Sequence, residues 1–329
     1  LWAMVVVNTT SLLKQWADAA YESLGYEAGI IQQDVVQWRP LTIAMIHTLA
    51  TGRFHTAEEL KHYGAVFFDE AHHLAAPTFN QVCPLFYGRR YGLTATKKRA
   101  DGMESLYMYH LGPNIYSDLT MQEIPYVYFV RTGLQLNEAQ RKSITRKGTI
   151  NQSLLQGLLG RTPWRNALIL ELIADLRAKG RKILVLGHLK DHLRLLHTNC
   201  PGSGLVIGDV DPNERAAVVD QSDVTFGTIK LAAEGFDAPA LDTLIVMTPF
   251  SHEGMVQQAL GRISRTMAGK QRPEAYFIED RIKSCVEMMV SVRHYLASVD
   301  VGSEFLDYAR SLEPMYREMA EEFDRPLTY

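Results

Sequence analysis

Residues 66–73 constrain the fold of this chain more than any other stretch. A short apolar run, rich in β-branched and aromatic side chains, ends in the adjacent carboxylates Asp69 and Glu70. Such a run predicts a buried strand. An aspartate at the carboxyl end of a parallel strand can hold the Mg²⁺ of a nucleoside triphosphate, and the next glutamate can orient or deprotonate a water. The same pair can also mark the start of a solvated loop, so the rest of the chain must decide.

The remaining sequence alternates between short apolar runs and stretches with helical spacing. Residues 1–7 predict a strand, and residues 8–11 supply helix-capping chemistry before the apolar positions Leu12, Leu13 and Trp16. Further strands are predicted at residues 30–36, 91–96, 122–130, 182–187, 204–208, 224–228, 241–247 and 275–278. Alternating strands and helices indicate an α/β fold of parallel sheets flanked by helices, with functional groups at the carboxyl ends of the strands.

The length of 329 residues exceeds that of a usual single domain, so two domains of about 150 residues are expected. The predicted boundaries are a first domain over residues 1–120, a linker with edge elements over 121–162, a second domain over 163–298 and a helical C-terminal tail over 299–329. The strand at 122–130 should lie near a domain edge, and residues 305–323 should form the helix of the tail.

The composition is that of an ordinary globular protein, with 47% hydrophobic and 22% charged residues. No run approaches the ~18 consecutive apolar residues of a membrane span, so no membrane partner is expected. Three widely spaced cysteines, Cys83, Cys200 and Cys285, form neither a disulfide framework nor a metal-ligand set, which points to a reducing, cytoplasmic setting. The net charge of −3 leaves any nucleic-acid contact to local basic patches or backbone amides.

Seven stretches resemble, in family order, the motifs of superfamily-two helicases of the DEAD/DEAH group, which have two tandem RecA-like domains. They are residues 5–16 (motif Ia), 42–48 (Ib), 69–72 (II), 94–96 (III), 183–188 (IV), 227–228 with 234–237 (V) and 258–265 (VI). Residues 92–96, followed by Arg99, Asp101 and Gly102, are similar to the branch that contains restriction-enzyme motors, XPB-type repair helicases and phage recombination helicases. Residues 234–242 are most similar to bacteriophage or small bacterial DNA helicases, although Lys97 stands where that branch usually has proline.

The resemblance implies an ATP-dependent helicase or translocase that hydrolyses ATP, with Mg²⁺, between its two RecA-like domains. Asp69 would hold Mg²⁺ and Glu70 would act on the attacking water. Arg262 and Arg265 would reach the phosphates as further catalytic residues. The other residues that the resemblance assigns to the nucleotide are His72, Gly235, Asp237, Gln258 and Gly261.

Motif VI has a geometry that the sequence itself predicts. On a helix over residues 256–267, the spacing of Gln258, Gly261, Arg262 and Arg265 is i, i+3, i+4 and i+7, which places all four near one face. A solvated face is the alternative for the arginines. Glycine inside a helix costs roughly 1 kcal/mol relative to alanine, so Gly261 indicates a packing or close-approach requirement.

Threonines in motifs Ia, Ib and V are the candidate nucleic-acid contacts. The hydroxyls of Thr9, Thr10, Thr48 and Thr228 could bind phosphate oxygens without reading sequence, although such residues also serve as helix caps and turn residues. In motif III, Thr94 and Thr96 would couple ATP hydrolysis to the action on nucleic acid. The resemblance gives His72 a similar coupling role, whereas two adjacent histidines, His72 and His73, should point apart and predict no metal site.

The largest departure from the family is that no G-x-x-x-x-G-K-[ST] loop occurs in the sequence. The family places this phosphate-binding loop just upstream of motif Ia, where Leu1 already lies. We therefore expect an N-terminal truncation, with little ATP hydrolysis by residues 1–329 alone. Two alternatives are a nucleic-acid-binding scaffold without nucleotide and the motor part of a restriction enzyme. The expected partner is nucleic acid, DNA rather than RNA, bound by a monomer in the cytoplasm, or in the host cytoplasm for a phage protein.

Overall fold

The computed structural model describes residues 2–53, 56–94, 104–116, 121–208, 210, 212–229, 238–250 and 252–306. The chain divides into two compact units, Leu1–Asp118 and Leu119–Tyr329. Each unit contains a largely parallel sheet flanked by helices, so the predicted α/β class is confirmed. The finer domain boundaries given above stay predictions.

The first unit is built on a six-stranded sheet. Its strands are β1 (Trp2–Val7), β2 (Gly29–Gln32), β3 (Val35–Val36), β4 (Leu41–Met45), β5 (Tyr63–Phe68) and β6 (Arg89–Gly92), in the order β3-β2-β4-β1-β5-β6. Of these strand pairs, only β2–β3 is antiparallel. The central strand β1 sends Met4 and Val6 into one apolar cluster and Val5 and Val7 into another. Both faces of the sheet are therefore covered, as is typical of parallel sheets.

Helices of the first unit begin and end at recognisable signals. They are α1 (Thr10–Leu24), α2 (Ile46–Ala50), α3 (Ala57–Lys61) and α4 (Glu104–Leu111), with 3₁₀ helices at Ala71–Ala75 and Cys83–Leu85. The hydroxyl of Thr9 accepts a hydrogen bond from the Leu12 amide at 3.2 Å and caps α1, as the sequence predicts. Gly25, with φ of 62°, ends that helix in the left-handed conformation that glycine adopts without strain.

The second unit has a seven-stranded sheet in which every pair of neighbouring strands is parallel. Its strands are β7 (Tyr126–Arg131), β10 (Ile183–Gly187), β11 (Gly204–Val206), β12 (Val224–Thr228), β13 (Thr243–Val246), β14 (Glu274–Glu279) and β15 (Ser303–Leu306), in the order β11-β12-β10-β13-β14-β7-β15. A separate hairpin is formed by β8 (Thr145–Arg146) and β9 (Thr149–Ile150). β10 is buried along its whole length, which explains why residues 182–187 are almost uniformly apolar.

Helices cover both faces of this second sheet. They are α5 (Glu138–Ile144), α6 (Gln152–Gly160), α7 (Pro163–Ala178), α8 (Lys190–Thr198), α9 (Pro212–Gln221), α10 (Glu253–Ile263) and α11 (Lys283–Ser298). α7 packs Leu172 and Leu176 into a cluster on one face, and α10 and α11 contribute Leu260 and Met289 to a cluster on the other. The two clusters form the core of this unit.

A fully buried ion pair holds together the carboxyl ends of three neighbouring strands. Arg165 Nε donates to both carboxylate oxygens of Asp280, at 2.9 and 3.0 Å, and neither side chain is exposed. Arg165 Nη2 donates to the carbonyl of Met247 after β13, and Thr132 after β7 donates its hydroxyl to Asp280 at 2.7 Å. Removing either partner would leave an unpaired buried charge, which is strongly destabilising. The network therefore holds these three strand ends in place, at the edge where functional groups are expected.

The strand predicted at 122–130 is β7, which lies between β14 and the edge strand β15, with Phe129 and Val130 fully buried. Two other sequence-based expectations about elements need correction. The helix predicted from Phe305 onward does not begin there, since Ser303–Leu306 forms β15; residues 307–329 lie outside the described part. The predicted strand over 30–36 is instead a tight hairpin of β2 and β3.

Phe305 lies in a strand and not in the predicted helix for a clear physical reason. The guanidinium of Arg131 lies 3.7 Å from the centroid of the Phe305 ring, a cation–π contact across the β7–β15 pair. β15 also supplies backbone partners for β7, whose amides and carbonyls would otherwise form an open edge. Within the described residues, no helix is long and apolar enough to cross a membrane.

Candidate active site

The acidic pair lies immediately after β5, where the chain leaves the sheet. The Asp69 amide still donates to the Val6 carbonyl at 2.9 Å, so the ladder with β1 continues one residue past the strand. Glu70 then adopts φ of 48° and ψ of 49°, a left-handed conformation that is uncommon for a residue with a side chain. Such local strain clusters at functional sites, where the surroundings hold it in place. Here the 3₁₀ helix Ala71–Ala75 follows directly.

Both oxygens of the Asp69 carboxylate are held by the protein. Oδ2 accepts a hydrogen bond from the indole Nε1 of Trp16 at 2.8 Å, and Oδ1 accepts one from the Glu70 amide at 2.9 Å. Burial raises the pKa of Asp69 above its ordinary value, and the Trp16 donor acts in the opposite direction by stabilising the ionised form. A carboxylate oriented by two donors retains further acceptor capacity on each oxygen.

Glu70 and His72 lie side by side at this turn. The Nδ1 atom of His72 is 3.2 Å from Glu70 Oε2 and 3.1 Å from the hydroxyl oxygen of Thr94. The contact to Glu70 lacks hydrogen-bond geometry, so buried Oε2 has no hydrogen-bond donor among the described residues. A carboxylate oxygen left without a donor can accept one from water. Thr94, after β6, is thus in direct contact with motif II.

His73 corrects the expectation that the two adjacent histidines point apart. The rings of His72 and His73 have centroids only 4.2 Å apart, because both residues lie in one 3₁₀ helix rather than on an extended turn. Within the described ranges, no group of three or more His, Cys, Asp or Glu side chains could hold a metal ion. Mg²⁺ needs no such cage, since it is commonly bound by one or two carboxylates together with phosphate oxygens and water. The donor set at Asp69 therefore fits nucleotide-bound Mg²⁺.

The threonines of motifs Ia and Ib lie at the same edge of the first sheet. Thr10 accepts a hydrogen bond from the Gln32 side chain at 3.1 Å, and the hydroxyl of Thr48 accepts one from the Gln33 amide at 3.0 Å. Thr9 caps α1, and Thr48 is only 6% exposed. Thr9 and Thr48 thus have structural roles in addition to the predicted phosphate contacts. In the second unit, Thr228 is the last residue of β12.

Motif VI is only partly on a helix. Gln258, Gly261 and Arg262 lie on the half-buried side of α10, opposite the buried Ala259 and Leu260. The shared helix face predicted for Arg265 is wrong, because α10 ends at Ile263 and not at residue 267. The Ser264 hydroxyl donates to the Leu260 carbonyl at 2.9 Å, and Lys270 Nζ donates to the carbonyls of Ile263 and Arg265. Lys270 thus satisfies the carbonyl of Ile263, the last residue of α10, in place of a further helical amide.

Arg265 therefore stands on the segment after the helix. It is half-buried, and burial lowers the pKa of its guanidinium. A partly desolvated arginine interacts more strongly with an anion than one in water does. Its catalytic role, like that of Arg262, stays a prediction.

Gly261 has no packing requirement within the described structure. A Cβ atom added there would meet no atom within 4 Å among those residues, and the backbone does not have a positive φ. Packing against the described residues therefore does not account for this glycine, and both explanations offered by the sequence stay predictions for the rest of the molecule.

Three predicted site residues, Thr96, Gly235 and Asp237, lie outside the described residues. Two contacts were missed by sequence reasoning. Trp16 was interpreted only as an apolar helix position, although a buried indole N–H usually requires an acceptor, which is the signal that could have revealed it. The ring of His188 in motif IV lies 2.8 Å from the Thr248 hydroxyl, and burial lowers the His188 pKa.

Comparison with known proteins agrees with this architecture. Residues 2–99 match the family model described as the res subunit of type III restriction enzymes. The chain is 25% identical to the putative ATP-dependent RNA helicase L396 of Acanthamoeba polyphaga mimivirus, covering 85% of this chain and 56% of that protein. It is 24% identical to the probable helicase D10 of Escherichia phage T5, covering 82% of this chain and 60% of that protein.

Two further similarities concern XPB and a solved structure. The chain is 25% identical to the DNA 3'-5' helicase XPB of Kineococcus radiotolerans, covering 92% of this chain and 57% of that protein. The structure of S. cerevisiae Dbp5 bound to RNA and ADP BeF3 aligns with a TM-score of 0.60 at 13% identity, covering 97% of this chain and 81% of that one. At this identity the alignment shows the fold alone.

The fold is that of tandem RecA-like domains, each described above as a separate unit. The resemblance to superfamily-two helicases, in the branch of restriction-enzyme motors and XPB, is confirmed by these similarities. The chain spans little more than half the length of the curated relatives it matches, between 56% and 60% of the three named here.

Proposed function

We propose that this chain is the motor region of an ATP-dependent nucleic-acid helicase or translocase. The observation that carries the proposal is the acidic turn after β5, where the carboxylate of Asp69 is held by two donors beside Glu70, a largely buried residue with a left-handed backbone. Similarity to helicases over most of the chain supports it. The cofactors would be ATP and Mg²⁺.

The described residues support specific roles in this reaction. Asp69 would hold Mg²⁺, which when bound neutralises phosphate charge and orients the nucleotide. Glu70 Oε2, buried and without a donor among the described residues, would accept a hydrogen bond from the attacking water and take its proton. His72 would transmit a change in the conformation of this turn to Thr94, whose hydroxyl oxygen lies 3.1 Å from the His72 Nδ1 atom.

Residues of the second unit would complete the nucleotide chemistry. Arg262 and Arg265 would stabilise the charge that develops on the phosphates during transfer. No atom of the described residues lies within 4 Å of a Cβ placed at Gly261, which supports room for a phosphate beside α10. Gln258, Gly235 and Asp237 are proposed as further nucleotide contacts on their motif positions.

We propose DNA rather than RNA as the substrate. The DNA helicase XPB among the relatives supports this choice, although another relative is named as an RNA helicase. Thr9, Thr10, Thr48 and Thr228 would bind the phosphate backbone through hydroxyls and amides, with no reading of sequence. The protein would act as a monomer in the cytoplasm, a setting that suits its three buried free thiols.

The experiment is ATP turnover by a protein in which a phosphate-binding loop is supplied upstream of Leu1, with single-stranded DNA, single-stranded RNA or neither. This loop-containing protein is the parent of the variants in all the turnover measurements below. We expect DNA to stimulate turnover more than RNA does. We also expect the apparent affinity for DNA to fall steeply with salt, since phosphate contacts release counterions. Salt-insensitive binding, or turnover that neither nucleic acid changes, would contradict the proposal.

A restriction-enzyme motor is the second candidate, favoured by the family match over residues 2–99. Such a motor translocates along duplex DNA and need not separate strands. Displacement of a third strand from a triplex, without unwinding of a forked duplex, would favour it over the helicase. A scaffold that binds nucleic acid without nucleotide is distinguished from both by failing to bind a fluorescent ATP analogue.

A further inference from the structure

Trp16 lies on the apolar face of α1 and also donates a hydrogen bond to the acidic turn. Together with Leu12, Leu13 and Ala17, it packs α1 against the cluster beside β1. Its indole nevertheless reaches the acidic turn and donates to Asp69 Oδ2 at 2.8 Å, although the two residues are 53 positions apart in the chain. The contact therefore joins motif Ia to motif II within one unit.

The indole is well suited to hold a carboxylate in one orientation. It is a donor only and cannot exchange roles with its acceptor. Its ring is fixed by packing, so little side-chain entropy is lost when the bond forms. The second donor, the Glu70 amide, comes from the acidic turn itself. Trp16 is therefore the contact through which an element outside the turn can reorient Asp69.

α1 also carries one of the candidate nucleic-acid contacts. Thr9 caps its first turn, and Trp16 lies seven residues later, about 10 Å along a continuous helix at 1.5 Å per residue. Caps at both ends stabilise α1 as one continuous helix, which connects its amino end to Trp16. A shift at its amino end would thus be transmitted to the indole and to the carboxylate it holds.

We propose that Trp16 is a positioning residue that ties α1 to the Asp69 carboxylate and so makes Mg²⁺ binding responsive to a phosphate backbone bound near Thr9. The inference rests on the proposed function in taking Asp69 as the Mg²⁺ ligand. By linkage, a nucleic acid that improves Mg²⁺ affinity must itself bind more tightly when Mg²⁺ is present.

The test compares Trp16→Phe with the matched variant Trp2→Phe, which changes a partly buried tryptophan on β1 of the same unit. Phenylalanine keeps an aromatic ring and removes the donor. We expect Trp16→Phe to raise the Mg²⁺ concentration for half-maximal ATP turnover by about tenfold, the order set by one hydrogen bond to a charged group. The ATP concentration for half-maximal turnover should change little, and Trp2→Phe should leave the Mg²⁺ dependence unchanged.

A second readout needs no turnover. The chain has four tryptophans, so the indole region of a ¹⁵N-edited NMR spectrum contains four side-chain signals. Trp16→Phe identifies the signal of Trp16 by its loss. In the wild type we expect this signal to move on titration with Mg²⁺ and ATP and on addition of a single-stranded oligonucleotide, and to move also in Asp69→Ala. If Trp16→Phe does not fold, the remaining tryptophan variants assign the signal by elimination and Asp69→Ala decides.

The outcomes separate the inference from the proposed function. If Asp69→Ala leaves the Mg²⁺ dependence of turnover unchanged, the assignment of Asp69 as ligand fails and the inference fails with it. If Asp69→Ala disrupts the Mg²⁺ dependence while Trp16→Phe shifts it by less than about twofold, only the inference is overturned. The inference is also overturned if the indole signal of Trp16 has the same chemical shift in Asp69→Ala and after addition of the oligonucleotide.

Discussion

The imidazole Nδ1 of His72 and the hydroxyl oxygen of Thr94 lie 3.1 Å apart, which joins the acidic turn after β5 to the segment after β6. The two segments are also linked by backbone, since the Ala71 amide donates to the Leu93 carbonyl at 2.9 Å. If the acidic turn binds nucleotide as proposed, a change there would reach motif III through the His72–Thr94 contact and this backbone hydrogen bond.

Replacing Thr94 by valine should uncouple the motor while leaving its chemistry largely intact. Valine keeps the shape of threonine and removes the hydroxyl, so the link to His72 is lost. We expect strand displacement to fall by about tenfold, the order of one hydrogen bond, and ATP turnover to fall much less. Both rates are measured on one forked duplex, with Thr149→Val at an exposed position as the control. Parallel loss of both activities would contradict the coupling role.

Replacing Gly261 by alanine should separate stability from activity. The position is helical and no described atom lies within 4 Å of the added Cβ, so alanine should stabilise the protein by about 1 kcal/mol. If a phosphate approaches the bare backbone, ATP affinity should fall despite the higher melting temperature. Gly157→Ala in α6 is a matched control, since its Cβ also meets no described atom. Unchanged ATP affinity in Gly261→Ala would rule out close approach.

Alanine at Arg262 or Arg265 should reduce turnover without unfolding the protein. Arginines that stabilise transferring phosphoryl groups are worth about 10³ to 10⁵ in rate, while a guanidinium that is partly open to solvent contributes little to folding. Turnover, ATP affinity and melting temperature are compared with those of Arg141→Ala, an exposed arginine on α5. Hydrolysis within about twofold of the parent would show that the residue belongs to a solvated face.

The stability of the second unit should fall in mild acid because of His192. Burial lowers the His192 pKa to about 4, with a smaller effect of the Arg165 guanidinium, and the ring lies 2.8 Å from Asn166 Oδ1. The unfolded chain takes up the proton below pH ~6.5, whereas the folded one does not until about pH 4. The stabilisation is therefore complete above pH ~6.5 and is lost as the pH falls, by at most about 1.4 kcal/mol per pH unit.

Urea unfolding at pH 7 and pH 5 measures this effect. His192→Gln should flatten the pH dependence between these values, and the exposed His294→Gln should not. An unchanged slope in His192→Gln would show that other groups control the acid sensitivity.

The sequence predicted most of the strands and the position of the acidic pair after β5 because both depend on local patterns. The apolar run of β5 and the capping residues of α1 act through neighbours only a few positions away, so their structures could be read directly. Asp69 and Glu70 appear where a strand pattern ends, and that position suffices to place them at a sheet edge.

The errors arose where distant residues decide the structure. The strand β15 exists because β7 offers it an unpaired edge and Arg131 covers Phe305, neither of which local periodicity records. Arg265 lies beyond α10, which ends at Ile263, and the carbonyl of Ile263 accepts a hydrogen bond from Lys270, seven positions away, a contact that helical periodicity does not record. The Trp16–Asp69 bond spans 53 residues, and an apolar pattern shows the tryptophan without its partner.

The most direct test of the central claim is ATP turnover by Glu70→Gln, measured together with ATP affinity and melting temperature. Glutamine keeps the size and position of the side chain but cannot accept the proton of the attacking water. We predict turnover at least about 10²-fold lower than the parent, with ATP affinity, Mg²⁺ binding and melting temperature preserved. Glu22→Gln, exposed on α1, is the control and should hydrolyse ATP normally. Turnover by Glu70→Gln within about twofold of the parent would contradict the assignment of the acidic turn as the catalytic site.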